Sequence, residues 1–214
     1  MNYDSVPLRD FKELNDWETV IFVYQSALKQ VETKIDILNG EFQHRHKYNP
    51  IEHVKSRIKT PESIVKKLKR HGYESSIENM VRYVNDIAGI RISCSFTSDI
   101  YLIADMISKQ NDLTILARRD YMKNPKKSGY RSYHMLVTTP VFLSDSIIDT
   151  KVEIQIRTVA QDFWATLEHK MHYKFEGDGP DYITKELREC ARYVAELDLS
   201  LIHISEPTRH SLIS

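Results

Sequence analysis

Cysteine, glycine and proline are all scarce in this sequence. Its 214 residues include two cysteines, six glycines and seven prolines. Two cysteines, Cys94 and Cys190, are too few for a disulfide framework or a cysteine-rich zinc site, and we expect both to be buried thiols without a chemical role. Together with 41% hydrophobic and 28% charged residues, the shortage of glycine and proline excludes collagen-like and low-complexity chains and indicates a globular protein.

Long apolar runs are also missing. No stretch approaches the roughly 18 uninterrupted apolar residues that a membrane-spanning helix requires. Asp4 and Asp10 lie where a secretory signal peptide would have a basic segment followed by an apolar one. We therefore expect no association with a membrane and a cytoplasmic location.

Charge is balanced overall but is unevenly distributed along the chain. The sequence has 30 basic and 30 acidic residues, yet residues 51–144 carry sixteen basic and nine acidic groups, whereas residues 145–214 carry eight and thirteen. A basic middle region in a neutral protein favours a local site for a polyanion such as a nucleotide phosphate. A solvated charged surface is the alternative explanation.

Hydrophobic periodicity predicts an α+β fold. Apolar residues at steps of three and four predict a long helix over about residues 11–46, and Thr60 with Pro61 predicts the start of a second helix. Strict alternation over residues 151–157 predicts the clearest strand. Further helices are predicted over about 77–84, 98–109, 158–173 and 181–199, and further strands over 90–96, 113–117 and 131–139. This pattern favours a mixed β-sheet of about five strands with packed helices and long helices at both ends.

The residues after Leu199 do not follow the amphipathic pattern of the preceding helix. Pro207 and scattered polar residues interrupt the amphipathic pattern after Leu199. The run from residue 201 to residue 209 resembles a translated cloning or sequencing adapter. We therefore expect residues 1–199 to form the functional unit and residues 200–214 to be a non-native tail.

Two carboxylates stand out because of their positions. Asp86 precedes a predicted strand at a turn that contains Gly89, and Glu153 lies on the polar face of the strand over residues 151–157. If adjacent strands bring them together, they suit Mg²⁺, which binds through one or two carboxylates and takes its other ligands from phosphates and water. Single carboxylates are also common on strands, so their adjacency is a hypothesis.

Basic groups flank these carboxylates in the sequence. Guanidinium and ammonium groups can neutralise a triphosphate and the charge that develops during phosphoryl transfer. Tyr130 follows Gly129 at the end of a basic loop, where its ring could stack on a base. There is no Walker-type loop and no Rossmann fingerprint, so side chains and Mg²⁺ would hold the phosphates. The candidate basic residues are Arg57, Lys59, Lys67, Arg91, Arg119, Lys123, Lys126 and Lys127.

Five motifs in order resemble those of the small alarmone synthetases, the short relatives of the stringent-response synthetase/hydrolases. The resemblance covers about residues 10–199. Any one motif would be weak, but five in the family's order and spacing are specific. They are DIAGIR at 86–91, RDY at 119–121, Lys126 followed by SGYRSYH at 128–134, EIQIRT at 153–158 and FWATLEH at 163–169.

The resemblance implies transfer of the β,γ-pyrophosphate of ATP to the 3′-hydroxyl of GDP or GTP, in a nucleotidyltransferase-like fold. Asp86 would bind Mg²⁺, and Glu153 would bind Mg²⁺ and activate the 3′-hydroxyl. Tyr130 would stack on guanine. The implied ATP-binding residues are Arg57, Lys59, Ser63, Lys67 and Arg91, and the implied GDP/GTP-binding residues are Arg119, Lys126, Tyr130, Gln155, Asp162 and His169.

Asp162 departs from the family pattern, since many members have asparagine there and the position is associated with the guanine edge. A carboxylate can accept hydrogen bonds from N1–H and from the exocyclic amine, so guanine preference should persist. The hydrolase and regulatory domains of the long relatives do not fit in this length, so a synthetase alone is expected. The resemblance also implies a homotetramer formed through the helical ends.

Two other functions remain open at this stage. A general nucleotidyltransferase would share the fold, although the Gly-Ser and paired-aspartate motif typical of that class is absent. An RNA-binding regulator could use the basic middle region, and single-stranded RNA could also be a second ligand of the synthetase. Formation of AMP and guanosine tetraphosphate would distinguish the synthetase from both.

Overall fold

Helices and strands are interspersed along the chain in a computed structural model. It describes residues 16–175 and 181–210, without the side chains of residues 172, 173 and 203–210. The described part contains six helices and five strands. The helices are α1 (Trp17–His46), α2 (Pro61–Arg70), α3 (Ile77–Tyr83), α4 (Thr97–Ser108), α5 (Val159–Lys174) and α6 (Asp181–His210). The strands are β1 (His53–Ile58), β2 (Ala88–Cys94), β3 (Thr114–Asp120), β4 (Tyr133–Phe142) and β5 (Ile147–Thr158).

The strands form one mixed sheet in the order β1-β2-β5-β4-β3. β2 and β5 run parallel, and the other neighbouring pairs are antiparallel. The predicted α+β architecture, with a mixed sheet of about five strands, is therefore confirmed.

The two faces of the sheet have different roles. Ile90, Ile92, Ile154 and Ile156 point to one face and are buried in the hydrophobic core, which α1 and α4 cover by packing on the sheet. Because side chains alternate along a strand, the residues between these isoleucines point to the opposite face. Those residues are polar or small, so the opposite face is available for a site.

The start of α2 follows the predicted capping pattern. Thr60 is the N-cap, its hydroxyl accepts from the backbone N–H of Ser63 at 3.3 Å, and Pro61 is the first helical residue. For α4 the sequence predicts a cap at Ser98 and Asp99, and this prediction was wrong, because the N-cap is Phe96 and the helix begins at Thr97. Asp99 accepts a hydrogen bond from the backbone N–H of Phe96 and so stabilises the helix start from within its first turn.

Strand predictions were least accurate at the sheet edges. β1 was missed because its residues are largely exposed and polar, so an alternating pattern is weak; its pairing with β2 is the interaction that defines it. β3 extends to Asp120, so Arg118 and Arg119 lie on a strand, whereas the sequence predicts a strand that ends at residue 117 and a loop over residues 118–129.

Two predictions about α6 were wrong. The helix continues through His210 instead of ending near Leu199. The backbone stays helical through Pro207, where the sequence predicts an interruption. Cys190 is exposed on this helix, whereas Cys94 is buried as expected.

None of the described helices combines the length and apolar character needed to cross a membrane.

Candidate active site

The structure brings the two predicted carboxylates to one region on the polar face of the sheet. Glu153 on β5 pairs in register with Gly89 on β2, and Asp86 lies in the turn that leads into β2. Both carboxylates line the same two adjoining cavities. The adjacency that the sequence left as a hypothesis is therefore present.

The two cavities have different basic linings. One has a volume of about 160 Å³ and is lined by Lys67, Arg119 and His134 in addition to the carboxylates. The other has a volume of about 220 Å³ and is lined by Arg57, Arg91, Lys55 and Gln155. The carboxylates thus lie between two basic sites, an arrangement that can hold two anionic ligands side by side.

Two lysines bind Asp86 directly. Lys59 Nζ lies 2.9 Å from Oδ2 and Lys67 Nζ lies 2.7 Å from Oδ1. Burial alone would raise the pKa of Asp86, but the two ammonium groups outweigh it and lower the pKa to about 2. Asp86 is therefore fully ionised at neutral pH, and its lysine partners lie where they could exchange the carboxylate for phosphate oxygens.

Glu153 is held by its neighbours on the sheet. Gln155 donates a hydrogen bond to Oε2 at 2.8 Å, and His134 Nδ1 lies 3.6 Å from Oε1. Burial would raise the pKa of Glu153, but His134 and Gln155 together bring it below the ordinary value. The side chain is thus an ionised, oriented acceptor on the floor of both cavities.

Tyr130 is connected to Glu153 through His134. The Tyr130 hydroxyl and His134 Nε2 are 2.8 Å apart, and burial raises the pKa of this tyrosine, so the hydroxyl keeps its proton at neutral pH. The Lys126 ammonium lies 4.7 Å from the centre of the Tyr130 ring. Because Lys126 is exposed, it can move if a base stacks on that face of the ring.

Asp162 lies in the first turn of α5 between two arginines. Its Oδ1 is 3.0 Å from Arg157 Nη2 and 3.4 Å from Arg91 Nη1. These ion pairs were not predicted from the sequence. A guanine base that contacts Asp162 would therefore share the carboxylate with the two arginines.

We expect Asp162→Asn to destabilise the fold by about 3–5 kcal/mol, because Arg157 would lose the partner of a buried charge. The Arg157 side chain is only 2% exposed. Urea unfolding measures the change in the free energy of unfolding. Asp105→Asn is the matched control, since Asp105 pairs with Lys109 on an exposed helix surface and such pairs contribute little. Equal stability of the two variants would contradict this role.

Six predicted site residues line neither of the two cavities described above, namely Lys59, Ser63, Lys126, Tyr130, Asp162 and His169. Ser63 is exposed in the first turn of α2, bonded to Thr60, and His169 is exposed on α5. Three residues that contact or line the site were not predicted from the sequence, namely His134, Arg157 and Asn85. His134 and Arg157 both lie within the motifs named above. Each is an even number of residues from a predicted site residue, Tyr130 or Glu153, and this spacing was the signal in the sequence that could have identified them.

The carboxylates fit a hard divalent cation that shares its ligands with a nucleotide. Among the described residues no group of three or more metal-ligating side chains comes together. A cation held by Asp86 and Glu153 would therefore need phosphate oxygens and water as its remaining ligands, which is how Mg²⁺ is commonly bound at phosphoryl-transfer sites.

The fold and site together define a class. A mixed sheet with one open face, one carboxylate on a strand, a second in the turn before the neighbouring parallel strand, and basic cavities on either side is typical of the nucleotidyltransferase-like α+β proteins. Such a site can bind two phosphorylated ligands and bring them into contact.

Comparison with known proteins gives the family. Residues 56–178 match the region found in RelA / SpoT proteins. The chain is 45% identical over 193 residues to the GTP pyrophosphokinase YwaC of Bacillus subtilis, covering 90% of this chain and 92% of that protein. The chain belongs to the RelA/SpoT family, and within it to the single-domain small alarmone synthetases.

Solved structures agree with this assignment. The crystal structure of small alarmone synthetase 2 from Bacillus subtilis is 44% identical, has a TM-score of 0.83 and is matched over 90% of this chain and 100% of that one. The structure of small alarmone synthetase 1 from the same organism, bound to its product pppGpp, has a TM-score of 0.83 at 33% identity, over 89% and 97% of the two chains.

Proposed function

We infer that this protein is a GTP pyrophosphokinase, which transfers the β,γ-pyrophosphate of ATP to the 3′-hydroxyl of GDP or GTP and releases AMP. The observation that carries this inference is the position of Asp86 and Glu153, which both line two adjoining basic cavities. Two nucleotides bound side by side would meet at these carboxylates. The family's named pyrophosphokinases favour this function over RNA binding alone.

The cavity with Arg57 and Arg91 is the proposed adenine side. Two guanidinium planes can stack on a purine from opposite faces. Lys59 and Lys67 would release Asp86 and bind the phosphates, with Ser63 at the adjacent helix start. The acceptor nucleotide would occupy the side of the site nearer Arg119, Lys126, Tyr130, Gln155, Asp162 and His169.

The reaction needs one proton acceptor and one leaving group. The 3′-oxygen of the acceptor forms a bond to the β-phosphorus of ATP, and the bond from this phosphorus to the α,β-bridging oxygen breaks, so that AMP leaves with that oxygen. Glu153 accepts the proton of the 3′-hydroxyl. Asp86 and Glu153 would hold Mg²⁺, which neutralises charge on the phosphate oxygens when bound. Lys67 and Arg119 add positive charge along the first cavity.

Tyr130→Ala is expected to raise the Michaelis constant for GDP far more than that for ATP, by an amount equivalent to roughly 1–3 kcal/mol of lost base stacking. Tyr130→Phe keeps the ring and loses the hydroxyl that bonds His134, so its Michaelis constant for GDP should stay near the wild-type value. Steady-state kinetics with each substrate and a melting temperature for both variants provide the measurement. A large loss of stability in Tyr130→Ala with equal damage to both substrates would instead indicate a core role.

We also propose a cytoplasmic homotetramer. The support on this chain is the set of large apolar side chains left exposed on its long helices, namely Phe22, Ile37, Tyr182, Tyr193, Leu197 and Leu199. Burial of such side chains between copies would be favourable. Light scattering coupled to size exclusion measures the assembly, and a monomer at micromolar concentration would contradict it.

The functional unit is proposed to be residues 1–199. A chain that ends at Leu199 should keep its activity and its melting temperature, because Asp198, which bonds Thr158 and Gln161, is retained. A marked loss of either property would show that the remaining residues contribute.

The inferred reaction is tested by incubating the protein with ATP, Mg²⁺ and either GDP or GTP and separating the nucleotides. We expect AMP and guanosine tetra- or pentaphosphate in equal amounts. Production of neither compound, with both substrates intact, would refute the proposed function.

A further inference from the structure

A buried lysine lies beneath the turn that carries Asp86. Lys151 is on β5, two residues before Glu153, and is only 2% exposed. Its ammonium group donates to Asn85 Oδ1 at 2.8 Å and to the backbone carbonyl of Arg82 at 3.4 Å. One side chain therefore connects the strand of Glu153 with the end of α3 and with the residue next to Asp86.

This contact fixes the orientation of the Asn85 amide. An asparagine side chain has an acceptor oxygen at one end and a nitrogen with two donor hydrogens at the other. Because an ammonium group can only donate, it holds the oxygen toward Lys151 and turns the nitrogen away from it. Asn85 lines the cavity that contains Asp86, Glu153 and Lys67, the lysine assigned above to the ATP phosphates, so the donor end of the amide is the end available to a ligand there.

We propose that Asn85 is a substrate-contact residue whose amide donates to a phosphate oxygen of ATP, and that Lys151 is the positioning residue that directs it there. The proposal rests on the inferred pyrophosphokinase function. A neutral donor suits this point because Asp86 already carries the local negative charge and has two lysine partners. The amide can thus bind phosphate without changing the net charge of the group formed by Asp86, Lys59 and Lys67.

A third cavity, also with a volume of about 160 Å³, borders Asn85 between α2 and α3. It contains neither Asp86 nor Glu153, whereas the first cavity contains both. The phosphates that react must lie beside those carboxylates. We therefore expect the amide nitrogen of Asn85 to point into the first cavity.

Asn85→Asp is the decisive variant because it keeps the shape and the acceptor for Lys151 while it removes the donors. We expect the affinity for α,β-methylene-ATP, measured by calorimetry, to fall at least tenfold. The melting temperature should be unchanged or higher, since Lys151 gains a carboxylate partner. Asn79→Asp is the matched control, because it adds the same charge at a residue of α3 that lines none of the cavities described here; its side-chain amide donates to the backbone carbonyl of Glu74, and its backbone N–H donates to the Ser76 hydroxyl.

Lys151→Met tests the positioning role separately. We expect it to weaken binding of the same analogue at least fivefold, with a change in melting temperature no larger than that of Thr150→Val. Thr150 is a matched control because it is also buried and polar on β5, and its hydroxyl donates to the nearby backbone carbonyl of Ile148. The Michaelis constant for GDP should stay near the wild-type value in Lys151→Met.

Two results would overturn the proposal. One is wild-type affinity for the analogue in Asn85→Asp. The other is weaker binding accompanied by an equal loss of GDP affinity and a fall in melting temperature, which would make both residues structural only. Calorimetry does not depend on turnover, so a wild-type chain that binds the analogue but forms no AMP would refute the inferred reaction and leave the Asn85 result standing.

Discussion

Replacing Glu153 with glutamine is expected to lower the rate of pyrophosphate transfer by about 100-fold or more, because the amide can neither accept the hydroxyl proton nor ligate Mg²⁺ as a carboxylate does. The variant keeps the size and shape of the side chain. Gln155 and His134, which orient the carboxylate, remain in place. The loss should therefore appear in kcat, with the melting temperature near that of the wild type.

Glu186→Gln is the matched control for this substitution. Glu186 is exposed on α6, so the same change of charge should leave turnover and stability unaffected. Near-wild-type turnover in Glu153→Gln would show that another group accepts the proton, and the assignment of Glu153 would be wrong.

Asp86→Asn is expected to raise the Mg²⁺ concentration needed for half-maximal activity by roughly tenfold or more, since loss of even an indirect contact commonly weakens metal binding by this amount. Lys59 and Lys67 would lose their shared carboxylate partner, so the effect on ATP binding is partly offset by two freer ammonium groups. A magnesium titration at saturating ATP separates the two effects. Unchanged magnesium dependence would place the cation elsewhere.

The same substitution has a predictable effect on stability at low pH. The pKa of Asp86 in the folded protein is lowered to about 2, so its ion pairs stabilise the fold above the ordinary pKa of an aspartate, and this contribution is lost as the pH falls toward 2. Asp86→Asn should therefore lose stability at neutral pH and show a shallower loss between pH 5 and pH 2 than the wild type. Parallel acid-unfolding curves for the two proteins would contradict the role of this ion pair.

The sequence predicted the centre of the fold better than its edges. β5 has a strict alternation because one of its faces is buried, so Ile154 and Ile156 on one side and Glu153 and Gln155 on the other could be assigned from the pattern alone. β1 is an exposed edge strand whose existence depends on pairing with β2. Local sequence carries little information about such a pairing.

The candidate site shows a similar division. Motifs identified Asp86, Glu153 and the basic residues, since those side chain types suit phosphate and cation chemistry. The ion pair between Asp162 and Arg91 and the contact between Lys151 and Asn85 could not be predicted, because each joins residues from elements that only the folded sheet brings together. Chain separation of 66 residues between Lys151 and Asn85 leaves no local pattern to detect.

The most direct test of the inferred reaction follows the two transferred phosphates. The protein should be incubated with GDP, Mg²⁺ and ATP that carries distinguishable labels on its β- and γ-phosphates. We predict that both labels appear in equal amounts at the 3′-position of the guanosine product and that the AMP is unlabelled. Appearance of ADP, or transfer of the γ-label alone, would contradict pyrophosphate transfer.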